Sequence, residues 1–251
     1  MRTNIIELVK KYLIYVSFLL NVLFVALFCW SCIKTNVINE ILVQLGFKKS
    51  MDIPYKNKPE YLLAEAWANS LSKLGVEADA VFYGNSITYD SDFQSLFPNM
   101  KICNMGCKGD DLDDLINRSF VISCVKPKKI FVLGGINTFS QISLEEFKFK
   151  YQLMVEKIKK QNPTAQIYLQ GMLPVNVNML YGKQYMNSKD KIKVGNDIIK
   201  GIATSSGMVY IDLYSLFQEK DSLPLNYTDD GLHLNKEAYY IWANYIEKYL
   251  L

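Results

Sequence analysis

The sequence predicts an α/β fold: a three-layer α/β/α sandwich on a five-stranded parallel sheet, preceded by an N-terminal transmembrane helix. Three observations carry this. From residue 78 onward, short apolar runs alternate with longer amphipathic stretches, the pattern of βαβ units and so of a parallel sheet covered on both faces. Residues with chemical potential gather where the apolar runs end. Near the start, Tyr12 to Ile33 carries no charged residue at all.

That uncharged run is long enough for a helix to cross a bilayer, which takes about 20 residues, and longer than the apolar part of a typical cleaved signal. Lys10 and Lys11 precede it and Lys34 follows it. We read residues 1–34 as an uncleaved signal anchor, with the membrane partner contacted through residues 12–33. Cleavage after Ser31 is the alternative. The basic residues Arg2, Lys10 and Lys11 before the span nearly balance Lys34, Lys48 and Lys49 after it, so the positive-inside rule does not orient it. A short tail ahead of a large domain favours the domain on the extracytoplasmic side, in the periplasm or at the cell surface. Residues 35–58 read as a linker with a short helix at Val37–Leu45, and residues 59–251 as one catalytic domain with a full core.

Within that domain, Tyr61–Leu74 has helical periodicity and ends at Gly75. Strands follow at Ala78–Tyr83, Lys101–Asn104, Lys129–Leu133, Gln166–Gln170 and Met208–Ile211. Helices are predicted over Asp110–Cys124, Leu144–Lys160, Ser188–Thr204 and Lys236–Leu250, the last rich in aromatic residues. Five parallel strands interleaved with helices suggest the flavodoxin type, in which ligands bind at the carboxyl ends of the strands near the point where the strand order reverses.

Composition narrows the function classes. The 251 residues carry a net charge of +3 with no Lys/Arg stripe interleaved with aromatics, so no nucleic-acid partner is expected. With one histidine and no CxxC pair outside the N-terminal run, where Cys29 and Cys32 have that spacing, ligands for a structural zinc are too few and no metal is expected. Cys103, Cys107 and Cys124 read as buried free thiols, with a Cys103–Cys107 bridge as the alternative.

The strand ends hold four groups of interest. Gly84 before Ser86 suggests a sharp turn that exposes the serine at the sheet edge, although a serine there also simply caps a helix. His233 is the sole histidine. Asp230, three residues earlier, suits a carboxylate that fixes the imidazole tautomer and leaves Nε2 to accept a serine proton; Asp229 is the competing carboxylate. A glycine-rich loop, Asn104 to Asp110, precedes a helix and offers free backbone N–H groups. Asn137 follows Gly134-Gly135-Ile136 and supplies an amide, or else an N-cap.

These pieces, in this order, resemble the four blocks of the SGNH hydrolases, the GDSL-type esterases and lipases. Gly84-Asn85-Ser86-Ile87-Thr88 resembles the Gly-Asp-Ser block, Asn104-Met105-Gly106-Cys107-Lys108-Gly109-Asp110 the Asn-x-Gly-x-x-Gly-Asp block, Gly135-Ile136-Asn137-Thr138 the Gly-x-Asn-Asp block, and Asp230-Gly231-Leu232-His233 the Asp-x-x-His block. The resemblance covers about residues 78–250 and implies the SGNH hydrolase fold. It makes Ser86 the nucleophile, His233 the general base and Asp230 the residue that orients it. The Ser86 N–H, the Gly109 N–H and the Asn137 side chain would form the oxyanion hole. Asn85 stands in place of the usual Asp, Thr138 replaces the Asp that supports the loop after the asparagine, and Leu234 replaces a common Pro.

The activity implied is that of a membrane-anchored serine esterase with no cofactor. Its substrates would be small-molecule or glycan esters, with small acyl groups such as acetyl on carbohydrate. Tyr83, Tyr89, Phe139 and Tyr227 are the aromatics expected near the site. Two other readings stay open: an O-acyltransferase acting on cell-surface glycan, and a non-catalytic glycan-binding module on the same fold. Neither the acyl length nor the oligomeric state is legible.

Overall fold

The computed structural model describes residues 59–251, together with Tyr12, Tyr15, Val16, Ser17, Asn21 and Val22, which are helical. The rest of the expected span, the linker, the Val37–Leu45 helix, Cys29 and Cys32 lie outside the described residues. Among the described residues, no helix is long and apolar enough to cross a membrane. The chain divides into two compact units, Met1–Leu62 and Leu63–Leu251; everything below concerns the second.

Helix α1 (Pro59–Leu74) leads into strand β1 (Ala80–Gly84). Two single-turn helices follow, α2 (Ser86–Tyr89) and α3 (Phe93–Leu96), then β2 (Ile102–Gly106), α4 (Leu112–Arg118), α5 (Phe120–Ser123), β3 (Lys129–Leu133), α6 (Ile136–Phe139) and α7 (Leu144–Gln161). β4 (Gln166–Gln170), α8 (Ile192–Ser205), β5 (Val209–Ile211), α9 (Leu213–Phe217) and α10 (Lys236–Leu250) complete the domain. All pairings are parallel, in the order β2-β1-β3-β4-β5. The order reverses between β1 and β3, so the crevice at their carboxyl ends is the expected ligand position.

Alternate residues of each strand face opposite layers. Val81, Tyr83, Ile130, Val132, Ile167 and Leu169 pack with α1, α4, α5, α7 and α8. Ala80, Phe82, Phe131, Leu133, Tyr168 and Ile211 pack with α3, α9 and α10. On this second face a row of rings crosses the sheet. Phe93 stacks on Phe82 at 4.1 Å, Phe82 on Phe131 at 4.8 Å and Phe131 on Tyr168 at 4.5 Å. Trp242 of α10 meets Phe93 edge-on at 5.0 Å and donates Nε1–H to Gln170 at 2.9 Å. The aromatic terminal helix is thus a core element.

Two predicted helices are reset. The single helix expected over Asp110–Cys124 starts two residues later, at Leu112, behind a reciprocal capping box of Asp111 and Asp114, and is interrupted at Ser119, whose hydroxyl bonds back to the Ile116 carbonyl at 3.1 Å. The helix expected from Ser188 begins at Ile192, because Lys189–Lys191 forms a 3-10 turn.

Candidate active site

Ser86 opens α2, directly after β1, and is 9% exposed. Gly84 is not in the left-handed region. Its need is for space: a Cβ there would lie 2.2 Å from the Leu133 carbonyl and 2.3 Å from Thr88 Oγ1. Gly106, at the end of β2, is bare for the same reason, since a Cβ would meet the Tyr89 nitrogen at 2.2 Å. Both glycines let α2 press onto the strands. Asn85 caps the helix through Oδ1, which accepts from the Ile87 N–H at 3.1 Å; an aspartate oxygen makes the same bond, so this departure from the family block leaves the turn intact. Asn104 ties β2 to the end of α2 by donating to the Thr88 carbonyl at 2.9 Å and the Ser91 carbonyl at 2.8 Å.

Beneath this turn lies a buried cation. Arg118, 3% exposed, donates to the Gly84 carbonyl at 2.7 Å, to the Met105 carbonyl at 2.9 Å, and to the Asp110 carboxylate. Its guanidinium lies 4.4 Å from the Tyr83 ring centre. Burial works against the Arg118 charge, but Tyr83 and Asp110 more than offset it and hold the group above the usual arginine range. Burial pushes Asp110 up to about 6, with Arg118 pulling the other way. The pair clamps the ends of β1 and β2 at the residue two before Ser86.

His233 is held by a polar turn. Thr228 Oγ1 accepts from the Gly231 N–H at 2.9 Å and the Asp230 N–H at 3.3 Å. Gly231 takes φ +88°, a conformation that glycine reaches without strain. One Asp230 oxygen accepts from the Leu232 and His233 N–H groups, both at 2.8 Å. The other lies 2.7 Å from His233 Nδ1. His233 Nε2 lies 2.9 Å from Ser86 Oγ. Burial acts to raise the Asp230 carboxyl, but the hydrogen bonds from the His233 ring and from the His233 and Leu232 N–H groups outweigh it and hold it below the ordinary range. A carboxylate only accepts, so the ring proton sits on Nδ1 and Nε2 is the acceptor for the serine. Asp229 lines a separate exposed groove with Asp90 and Lys236. Tyr239 of α10 joins the two halves, donating to the Ile87 carbonyl at 2.6 Å.

The glycine-rich loop and the α6 turn meet beside these groups. Cys107 N–H donates to the Gly84 carbonyl at 2.9 Å. Gly109 takes φ +80° with open space around its Cα, so here the glycine serves conformation. Asn137 Nδ2 donates one hydrogen to the Asp110 carbonyl at 2.8 Å, and its Oδ1 accepts from Tyr185 at 3.4 Å. That fixes the amide and leaves its second N–H unused. Thr138 supplies loop support after all: its hydroxyl accepts from the Leu112 N–H at 2.8 Å and caps α4. Cys103, Cys107 and Cys124 are half-buried and not joined in a disulfide, with the Cys103 thiol pushed up by burial.

The aromatics expected near the site are mostly elsewhere. Tyr83 and Phe139 are core residues, and Tyr227 packs edge-on against Phe217 at 5.7 Å. Only Tyr89 is exposed, because the strand and helix periods turn the others inward. A loop that the sequence reading left without a role, residues 174–188, brings Tyr181 against the His233 ring and Tyr185 to Asn137. It has no regular period, so nothing in the sequence signals it. Arg118 was likewise missed, since a single basic residue inside the expected Asp110–Cys124 helix carries no sequence signal of burial.

The family model for the GDSL-like lipase/acylhydrolase family matches residues 77–241. The chain belongs to that family, which bears out the resemblance drawn from the four sequence blocks, and it is an ester hydrolase. Among solved structures it is similar to a GDSL-like lipase from Bacteroides thetaiotaomicron, at 19% identity and TM-score 0.65 over 74% of this chain and 96% of that one. It is similar to a lipase/acylhydrolase from Enterococcus faecalis, at 18% and 0.57 over 68% and 94%. A catalytic mutant of an acetylxylan esterase from Geobacillus stearothermophilus matches at 18% and 0.56 over 70% and 95%. At these identities the likeness speaks for the fold. No curated protein matches the chain in sequence.

Proposed function

We propose that the protein is a serine esterase, anchored in the membrane through residues 12–33 with its catalytic domain on the extracytoplasmic side, that removes small acyl groups, acetyl foremost, from carbohydrate. The observation that carries the catalytic part is the unbroken hydrogen-bonded line from Asp230 through His233 to Ser86, at the topological switch point. Ser86 Oγ attacks the ester carbonyl while His233 Nε2 takes its proton. The oxyanion is met by the Ser86 N–H, the Gly109 N–H and the free hydrogen of Asn137 Nδ2. As the intermediate collapses, His233 gives the proton to the departing alcohol, leaving an acyl-serine. Water then attacks with His233 as base, and the proton returns to Ser86 Oγ as the carboxylic acid leaves. Asp230 stabilises the imidazolium at each stage. The anchor rests on the uncharged run Tyr12–Ile33 and its lysine flanks. The acetyl-carbohydrate preference rests on the extracytoplasmic placement and on the acetylxylan esterase among the structural relatives.

The test is Ser86→Ala in the full chain. Hydrolysis of a small activated ester should be abolished, and labelling by a fluorophosphonate probe lost, while circular dichroism and the melting curve stay those of the wild type. An active Ser86→Ala variant overturns the mechanism. Asn137→Ala should lower kcat by about 10²–10³; a smaller loss removes Asn137 from the oxyanion hole. Hydrolysis in the presence of a glycan acceptor, followed by product analysis, separates water from sugar as the acyl acceptor.

A further inference from the structure

The alcohol half of the ester has a definite place in this site. The imidazole that takes the serine proton must hand it to the leaving oxygen, so that oxygen sits within hydrogen-bond reach of His233 Nε2. Whatever lines the open side of His233 therefore touches the alcohol, and the oxyanion donors lie toward the acyl group.

The exposed ring in contact with the imidazole is that of Tyr181. Its ring centre is 5.9 Å from that of His233, at an interplanar angle of 74°, and the residue is 51% exposed. Its backbone is fixed to the histidine turn, because the Tyr181 and Gly182 N–H groups both donate to the Asp230 carbonyl, at 2.9 and 3.2 Å. The Asn176 N–H donates to the Gly231 carbonyl at 2.8 Å. Gly182 is wedged so tightly that a Cβ would lie 2.0 Å from the Asn176 carbonyl. The loop is thus latched to Asp230 and Gly231 of the turn that holds the base, and it presents an exposed ring from a rigid support.

Tyr89, three residues past Ser86, is the other exposed tyrosine of the site, at 53%. Its ring is already covered by Lys108, whose Nζ lies 5.1 Å from the ring centre and pairs with Asp90 at 3.0 Å. Tyr83, Tyr185 and Tyr239 spend their hydroxyls inside the protein, on Leu115, Asn137 and Ile87. Among the described residues, Tyr181 alone brings both an open ring face and an uncommitted hydroxyl to the catalytic histidine. An apolar face with a polar tip suits a sugar ring, which has C–H faces and hydroxyl rims.

We propose that Tyr181 is the leaving-group platform of this site, stacking on the sugar whose hydroxyl carries the acyl group. This rests on the reading of Ser86 and His233 as the acyl-transfer pair, and the test separates the two. In the full chain, kcat/KM is compared for two esters of the same acid, a mono-O-acetylated methyl glycoside and ethyl acetate. Tyr181→Ala should lower the glycoside value about five- to tenfold and leave ethyl acetate within about twofold, whereas Tyr181→Phe should keep most of the selectivity. An equal loss on both esters overturns the platform, since a ring that only steadies His233 gives that result. If the wild type cleaves neither ester, the reading of the reaction fails, and the platform is judged by binding. Saturation-transfer NMR of the acetylated glycoside on the Ser86→Ala chain should show transfer to the sugar C–H protons that disappears in Ser86→Ala/Tyr181→Ala; no transfer, or transfer that survives Tyr181→Ala, overturns it.

Discussion

Around Ser86 the chain leaves no room: two glycines admit the helix, a buried arginine clamps the strand ends beneath it, and the serine itself is nearly covered. Around His233 the chain leaves the side chain 28% exposed and holds it by a turn in which Thr228 and Asp230 accept almost every N–H nearby. Ser86, the proposed nucleophile, is positioned by packing and a desolvated ion pair, and His233, the proposed base, by hydrogen bonds at the rim. The difference suits the proposed chemistry. The serine oxygen must stay put against a dry oxyanion site. The imidazole must exchange protons with serine, leaving alcohol and water in turn, and needs an open side.

The halves should therefore break differently. The largest effect belongs to the histidine half and shows in rate. Asp230→Asn removes the acceptor that sets the tautomer, and kcat should fall by about 10⁴. The thermal midpoint should move little, because the turn is partly solvated and an amide oxygen still accepts from the Leu232 and His233 N–H groups. Steady-state kinetics with an activated ester and a melting curve check both; a loss under tenfold would mean that Asp230 does not orient the base.

The next effect belongs to the serine half and shows in stability. Arg118→Met leaves the buried Asp110 carboxyl without its counter-charge and the Gly84 and Met105 carbonyls without their donor, which costs about 3–5 kcal/mol, a large part of the roughly 5–15 kcal/mol that holds a domain together. Urea unfolding should show it. Arg118→Met with Asp110→Leu should regain much of the loss, since replacing both charges removes the desolvation penalty together with the attraction. A single variant as stable as the wild type would show that packing alone holds the serine turn.

The same contrast explains what the sequence made legible. The five strands, their parallel order and the Ser86–His233–Asp230 set were readable because an apolar run ending in glycine, and a serine, asparagine or histidine placed just after it, are local signals. The single-turn helices α2, α3 and α6 were not, since four residues do not complete a helical period. Gly84 was singled out for a sharp turn, and what it supplies is space, which only the fold reveals. Arg118 looked like a surface residue because its burial depends on three segments converging. Tyr181 lies in an aperiodic loop whose anchor, the Asp230 carbonyl, is some 50 residues away in sequence.

The smallest expected effect is a pH dependence of stability that tests which force governs the rim. Asp230 is held below its unfolded value because the hydrogen bonds of the turn, together with the charge of the imidazolium when it forms, outweigh burial. A carboxyl depressed in the folded state contributes stability that is fully present above its unfolded pKa, about 3.9, and that is lost as pH falls through the folded pKa. The stability difference between the wild type and Asp230→Asn should therefore shrink as pH falls below about 4. Solvent screens a partly exposed group, so the change is modest, and denaturant unfolding at matched pH values, read as a difference between the two proteins, isolates it. A difference that instead grew in favour of the wild type below about pH 4 would mean that the folded turn prefers the protonated acid, and that burial governs the histidine half as it governs the serine half.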